Sequence, residues 1–288
     1  MKGEETFKPH RPIKVLYDDD YYAAFDKPAG LLAIPSPKRE QHTLLSLVNT
    51  PAAASSHPKI AIEPQLQFLP GGPLEKISRR FFLSSGVKPF GFQGGRLHPC
   101  HRLDRDTSGV ILFAKGKKNQ KIMMEAFRQK KVRKIYIAFV HGRLKNRSGE
   151  IKSRIRDFDP SRFRRWLPPP YKSLRDSTGP ALYQNGTGQA PWAVTRYRVI
   201  ETKKDFSILE VTPVTGRTNQ IRIHFSQLGH PLVGERKYAF GKDYALKFRR
   251  TALHALSLSF IHPVFKKEIR IHSPLPEDME QFRLRTLS

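Results

Sequence analysis

Between residues 134 and 140 the chain reads Lys-Ile-Tyr-Ile-Ala-Phe-Val, a β-prone run that is nearly apolar on both faces of any strand drawn through it. Such a strand belongs inside a sheet, with packed layers above and below, and its lone polar handle is the Tyr136 hydroxyl. A second buried strand is expected at Val110-Ile111-Leu112-Phe113-Ala114. Between the two, residues 119–132 place Ile122, Met123, Ala126 and Phe127 at helical spacing, the mark of an amphipathic helix. Residues 15–25 read as a hairpin around Asp18-Asp19-Asp20, and 193–200, 206–213, 253–261 and 267–271 read as further strands. After the turn Thr215-Gly216-Arg217 a short helix is expected, with Thr218 as N-cap, Gly229 as stop, and Ile221, Phe225 and Leu228 on its core face. Strands outnumber helices and several connections between them are short. That pattern favours an α+β fold, a mixed and mainly antiparallel sheet with flanking helices, over a doubly wound parallel sheet.

Two stretches break the order. Residues 50–95 contain six prolines, an Ala-Ala-Ala-Ser-Ser run and Gly71-Gly72, although 74–83 suits a short basic helix. Residues 157–190 contain Pro168-Pro169-Pro170 and a Gly/Asn/Thr-rich run. Both are read as irregular insertions in a single domain spanning 13–282.

With 52 basic against 25 acidic residues, the 288-residue chain carries a formal charge of +27. That balance is far from an enzyme of small neutral substrates and makes nucleic acid the first partner to consider. Basic residues run along the whole chain and no long basic amphipathic helix stands out, which disfavours a membrane-surface role. Cys100 is the single cysteine, so no internal disulfide forms. No signal peptide or bilayer-length apolar run is present, and a soluble cytoplasmic protein is expected.

The segment richest in chemistry is His101-Arg102-Leu103-Asp104-Arg105-Asp106-Thr107-Ser108-Gly109, a carboxylate between two guanidiniums on a loop that leads into a buried strand. Taken alone, Asp104 is either a structural ion-pair partner of Arg102 or Arg105, or a nucleophile or general base; a nucleophilic carboxylate needs a cation to keep it ionised, and Arg222 is the candidate. His98, Cys100, His101, Asp104 and Asp106 are metal-ligand types, but no second Cys/His cluster follows at zinc-site distance and no metal is expected. Ser108 lacks the G-x-S-x-G surroundings of a hydrolase nucleophile. Tyr136 is a core aromatic or a platform for an extruded base. Lys27 and Arg217 are turn residues that are either solvated charges or phosphate contacts. The stretch 154–166 interleaves Arg with Phe163 and Trp166, which suits either RNA contact or a solvated basic loop.

The nine-residue segment resembles the signature of the RluA family of RNA pseudouridine synthases. Lys27-Pro28-Ala29-Gly30, Lys134-Ile135-Tyr136-Ile137-Ala138, the run from Gly216 to His224, Gly229-His230-Pro231, Leu253-His254-Ala255 and Ser273-Pro274-Leu275-Pro276 extend the resemblance in order. The family implies isomerisation of uridine to pseudouridine in ribosomal or transfer RNA, without cofactor or metal, in a central cleft. It implies Asp104, Tyr136 and Arg222 as the catalytic set: Asp104 acting at the ribose of a flipped uridine, as a nucleophile or through a glycal, Tyr136 stacking on the base, and Arg222 pairing with Asp104. Arg102, Arg105, Lys27, Arg217 and Asn219 are the expected RNA contacts, with Arg105 filling the gap left by the flipped base. The family commonly has His where this chain has Asn219, and Asn cannot titrate near neutrality. No S4-like domain is expected before residue 13, and a monomer is expected. The competing reading is a non-catalytic RNA-binding or ribosome-assembly protein on the same fold.

Overall fold

The computed structural model describes residues 13–35, 40, 42–50, 96–155, 192–239 and 246–285. The two expected insertions lie outside the described residues, apart from Thr50, as does the helix expected at 74–83. The chain divides into two compact units, Met1–Arg105 with Val110–Glu125, and Asp106–Gly109 with Ala126–Ser288.

In the first unit, β1 (Lys14–Asp18) and β2 (Tyr22–Lys27) form the expected antiparallel hairpin. The Asp19 carboxylate closes its turn by accepting the Tyr21 and Tyr22 amides at 2.7 and 2.6 Å. Helix α1 (Leu44–Asn49) begins with a capping box between Thr43 and Ser46, which satisfies amides that have no partner within the helix. Strand β3 (Leu97–Pro99) pairs antiparallel with β4 (Ser108–Lys115), which is buried at every position but the last. Phe25 and Phe113 meet edge to face at 5.6 Å. The predicted amphipathic helix is α2 (Lys117–Arg128), with Met123 fully buried and Ile122 and Met124 exposed.

In the second unit, β5 (Arg133–His141) lies between β8 (Phe206–Pro213) and β9 (Leu253–Ile261), with both pairings antiparallel. The run that is apolar on both faces therefore has a neighbour on each side, as its composition requires. Strands β7 (Trp192–Thr202) and β6 (Ser148–Arg154) continue the antiparallel order beyond β8, and β10 (Glu268–His272) pairs with the second half of β9. Ser108 and Gly109, the start of β4, run parallel to His254 and Ala255, which makes the sheet mixed. Helix α4 (Glu277–Arg285) covers one face, where Phe282 packs on Phe139, Phe206 and Phe248. Helix α3 (Gln220–Gln227) covers the other, where Phe225 meets Tyr197 edge to face at 5.6 Å.

The N-cap of α3 is Asn219, not the predicted Thr218. Its φ of 55° is a left-handed conformation that asparagine tolerates better than most residues. Gly229 follows the C-cap with φ 80°, the expected helix stop, while Leu228, predicted to join the core face, is the exposed cap itself. Gln220 locks the turn before the helix. Its amide oxygen accepts from Thr215 Oγ1 at 2.7 Å and the Arg217 amide at 3.0 Å, and its nitrogen donates to the Val194 carbonyl and Thr195 Oγ1, both at 2.9 Å. All four of its hydrogen-bonding positions are used.

Two histidines are buried beside this framework. His254 Nε2 lies 3.0 Å from the Ser273 carbonyl, which can only accept, so the ring's Nδ1 is the acceptor for the Ser108 hydroxyl at 3.0 Å. His224 Nδ1 lies 2.8 Å from Thr195 Oγ1. Burial pulls both rings from the ordinary value of 6.5 down to about 4. Because the folded values lie below the unfolded ones, these rings contribute stability that is complete above about pH 6.5 and lost as pH falls toward 4, where the unfolded chain binds about two more protons. Thermal melts should show a falling Tm from neutrality to about pH 4.5; a flat profile would contradict the buried neutral rings.

Candidate active site

The loop carrying Asp104 is positioned mainly through its backbone. His101 Nε2 accepts the Leu112 amide at 3.0 Å and Leu103 is buried, while the Asp104 side chain is half-buried and Arg102 and Arg105 are exposed. The next carbonyl, that of Arg105, accepts from the Gly30 amide at 2.9 Å and from Lys27 Nζ at 3.0 Å. The carbonyl of Asp106 accepts from Arg250 at 3.2 Å, and Ser108 is tied to His254. Arg250 is itself fixed by a two-pronged pairing with Asp278 at 2.7 and 3.0 Å. Within each unit, a loop held at successive residues presents its acid in a defined direction with little conformational freedom left to lose.

Lys27 corrects an expectation. It is fully buried, and its ammonium donates to the carbonyls of Pro28, Leu31 and Arg105 at 2.7–3.0 Å. A lysine so enclosed is no phosphate contact; it binds the 27–30 turn to the Asp104 loop. Arg105 is exposed and pairs with Glu40 at 2.7 Å, with more than half of its side chain still accessible.

Tyr136 is buried on β5 opposite Val211 and Ala255. It belongs to one row across the second unit, Gly109–Ala255–Tyr136–Val211–Tyr197–Gly149, in which each residue pairs with the next. Paired residues share a face, so Tyr136 lies on the side covered by α3. The register shifts at Tyr136, where β9 carries Leu256 as an extra residue, a local device that re-aims a side chain.

Arg222 extends from α3 into a network that sequence reasoning missed. Its Nε and Nη2 grip the Glu235 carboxylate, both at 2.7 Å, and its Nη1 donates to Asn219 Oδ1 at 2.9 Å. Asn219 Nδ2 in turn donates to the Tyr238 hydroxyl at 2.8 Å, and the guanidinium lies 5.0 Å over the Tyr238 ring. Burial alone would raise the enclosed Glu235 carboxyl, but the Arg222 fork and the Lys237 and Tyr238 amides hold it below its ordinary value. Asn219, expected as an RNA contact, spends its amide inside the protein as a support for Arg222. Glu235 and Tyr238 carry no local motif that marks them. These contacts use three of the five guanidinium N–H groups, and the arginine's orientation is set by Glu235 within its own unit.

Arg217 is exposed on the turn that Gln220 locks. A second exposed feature was also missed. Trp192 is 48% accessible at the start of β7, with Lys152 Nζ and Arg154 Cζ each 5.0 Å from its ring centroid. Residues 156–166 of the expected Arg/aromatic segment lie outside the described residues, but Arg154, at its start, is part of this cationic and aromatic surface.

The family model described as RNA pseudouridylate synthase matches residues 21–227, more than half of the chain. Ribosomal large subunit pseudouridine synthase D of Xanthomonas campestris is 31% identical over 285 residues, covering 94% of this chain and 68% of the relative. Its counterpart in Xylella fastidiosa is 30% identical, again covering 94% and 68%, and an RNA pseudouridine synthase of Bacillus subtilis, YjbO, is 29% identical, covering 94% and 75%. Among solved structures, the human RNA pseudouridylate synthase domain containing 4 superposes with a TM-score of 0.62 at 21% identity, covering 94% of this chain and 93% of its own, a likeness of fold. By sequence signature, family model and relatives together, the chain belongs to the RNA pseudouridine synthases, in the RluA family.

Proposed function

We propose that this isomerase converts a uridine of ribosomal RNA to pseudouridine, with Asp104 as the carboxylate that acts at the ribose. In this reaction the N1–C1′ bond breaks, the uracil turns, a C5–C1′ bond forms, the C5 proton leaves and N1 gains a proton. The product is an isomer of the substrate, so the chemistry balances without oxidant or reductant. The observation that carries the assignment is the loop itself: its carbonyls, His101 and Ser108 are committed to the scaffold, and the Asp104 side chain stands half-exposed between two exposed arginines.

In this reading Tyr136 stacks on the flipped base and assists removal of the C5 proton. Arg222, anchored on Glu235, is the cation assigned to keep the catalytic carboxylate ionised. Extruding the base costs a few kcal/mol, and phosphate contacts along the basic surface offset it. Both compact units serve this one activity, in the cytoplasm and as a monomer. The ribosomal substrate is supported by the names of the D-type relatives. No helix among the described residues is long and apolar enough to cross a membrane.

The test is release of tritium from ribosomal RNA labelled at uridine C5. Turnover dependent on the protein supports the reading; RNA binding without release would leave the assembly-protein alternative. A further expectation concerns Trp192. Replacing it with Ala should weaken RNA binding by about 1–3 kcal/mol, the range for loss of one stacking platform, as read by fluorescence anisotropy, and unchanged affinity would remove this surface from the RNA path.

A further inference from the structure

Lys134 stands two residues before Tyr136 on β5, so both side chains leave the same face of the strand, about 7 Å apart along it. Among the described residues it has neither a counter-charge nor a hydrogen-bond acceptor, unlike other enclosed cations. Lys27 has three carbonyls, Lys115 has Asp18, Lys203 has Glu201, Arg222 has Glu235 and Arg250 has Asp278. The half-buried Lys134 side chain makes no hydrogen bond or ion pair to any described residue, and burial pulls its ammonium below the ordinary lysine value. Its Nζ lies 3.5 Å from the point where Gly216 would carry a Cβ, and no other neighbour outside the flanking residues comes within 4 Å of that point. Gly216, Arg217 and Thr218 are all exposed.

An ammonium withdrawn from water without an anion costs stability, and a protein retains such a cost where a ligand supplies the missing charge. Three features identify the ligand. A compact ammonium is a point-charge binder of phosphate. The absent side chain of Gly216 leaves an open approach beside Nζ, and exposed Arg217 follows on the same turn. The spacing from Tyr136 matches the reach from a nucleobase to its own backbone phosphate.

We infer that Lys134 is the counter-ion of an RNA phosphate, that of the nucleotide whose base stacks on Tyr136 or its immediate neighbour. The inference rests on the reading of RNA as substrate and of Tyr136 as base platform. It gives Lys134 a binding role separate from the chemistry assigned to Asp104.

The inference requires stability and affinity to move in opposite directions. In the free protein, Lys134→Met removes an uncompensated charge while keeping its apolar stem, so Tm should hold or rise. The same variant should bind a fluorescein-labelled oligouridylate roughly tenfold more weakly, and the slope of log affinity against log salt should shrink by about 0.7, the share of one phosphate on a single strand. Lys134→Arg should restore the slope. An unchanged slope overturns the inference, and a loss of tritium release with an unchanged slope would assign the amine to proton transfer instead. A wild-type protein that binds oligouridylate but releases no tritium would refute the catalytic reading while the salt slopes still decide the role of Lys134.

Discussion

Asp104→Asn should reduce tritium release on the order of 10³- to 10⁵-fold while leaving the folded protein and its RNA affinity nearly unchanged. The carboxamide has almost the size of the carboxylate but neither its charge nor its nucleophilicity, so the substitution removes the reacting group with little change of volume. Retention of the fold follows from how the loop is held. The Arg105 carbonyl is bound by Lys27 and Gly30, the Asp106 carbonyl by Arg250, and Ser108 by His254, and none of these bonds uses the Asp104 side chain. The measurements are single-turnover release on C5-labelled RNA, far-ultraviolet circular dichroism and anisotropy titration. Release undiminished in a folded variant would remove Asp104 from the chemistry.

Gly109→Ala should be among the most damaging small substitutions for stability. Gly109 has φ 106°, a conformation L side chains rarely adopt, and an added Cβ would come within 2.2 Å of the Ala255 carbonyl oxygen and 2.8 Å of its carbonyl carbon and amide nitrogen. Backbone atoms within β9 cannot yield as the tip of a side chain can, so β4 would have to separate from β9 at the point where the catalytic loop enters the sheet. A cost of at least about 3 kcal/mol is expected, a fall in Tm of roughly 10 °C for a chain of this size. Gly116 supplies the control: it too has a positive φ, 84°, but nothing lies within 4 Å of its Cβ position. Gly116→Ala should cost only the backbone strain, about 1 kcal/mol. Equal losses at the two sites would show that strain, not the contact with Ala255, governs Gly109.

The sheet was largely legible because burial on one or both faces leaves a mark of period two. The 134–140 run has strands on both sides, and the 15–25 hairpin closes on the acid its turn supplies. Helix α3 was placed to within a residue, since Gly229 is an unambiguous stop; its N-cap was missed because Asn219 reaches a left-handed conformation and directs its side chain away from the helix end. Long-range polar partnerships were not legible. A turn lysine reads as surface charge, and only the fold shows that three carbonyls converge on Lys27. Glu235 lies 13 residues beyond Arg222, past the end of the helix, and no periodicity links the two. Trp192 follows a stretch of sequence without helix or strand periodicity and gains its two cations only through the β6–β7 register, which sets Arg154 opposite it.

The Arg222–Glu235 fork has a practical consequence. Because this guanidinium is held within its own unit by a buried carboxylate and by Asn219, its aim is set there. An inert Asp104→Asn protein therefore keeps an assembled recognition surface and can serve as bait, halting on the RNA it would otherwise modify and release. Crosslinking that bait in cells, followed by sequencing of the captured fragments, converts an internal salt bridge into a means of reading out the address of the modified uridine.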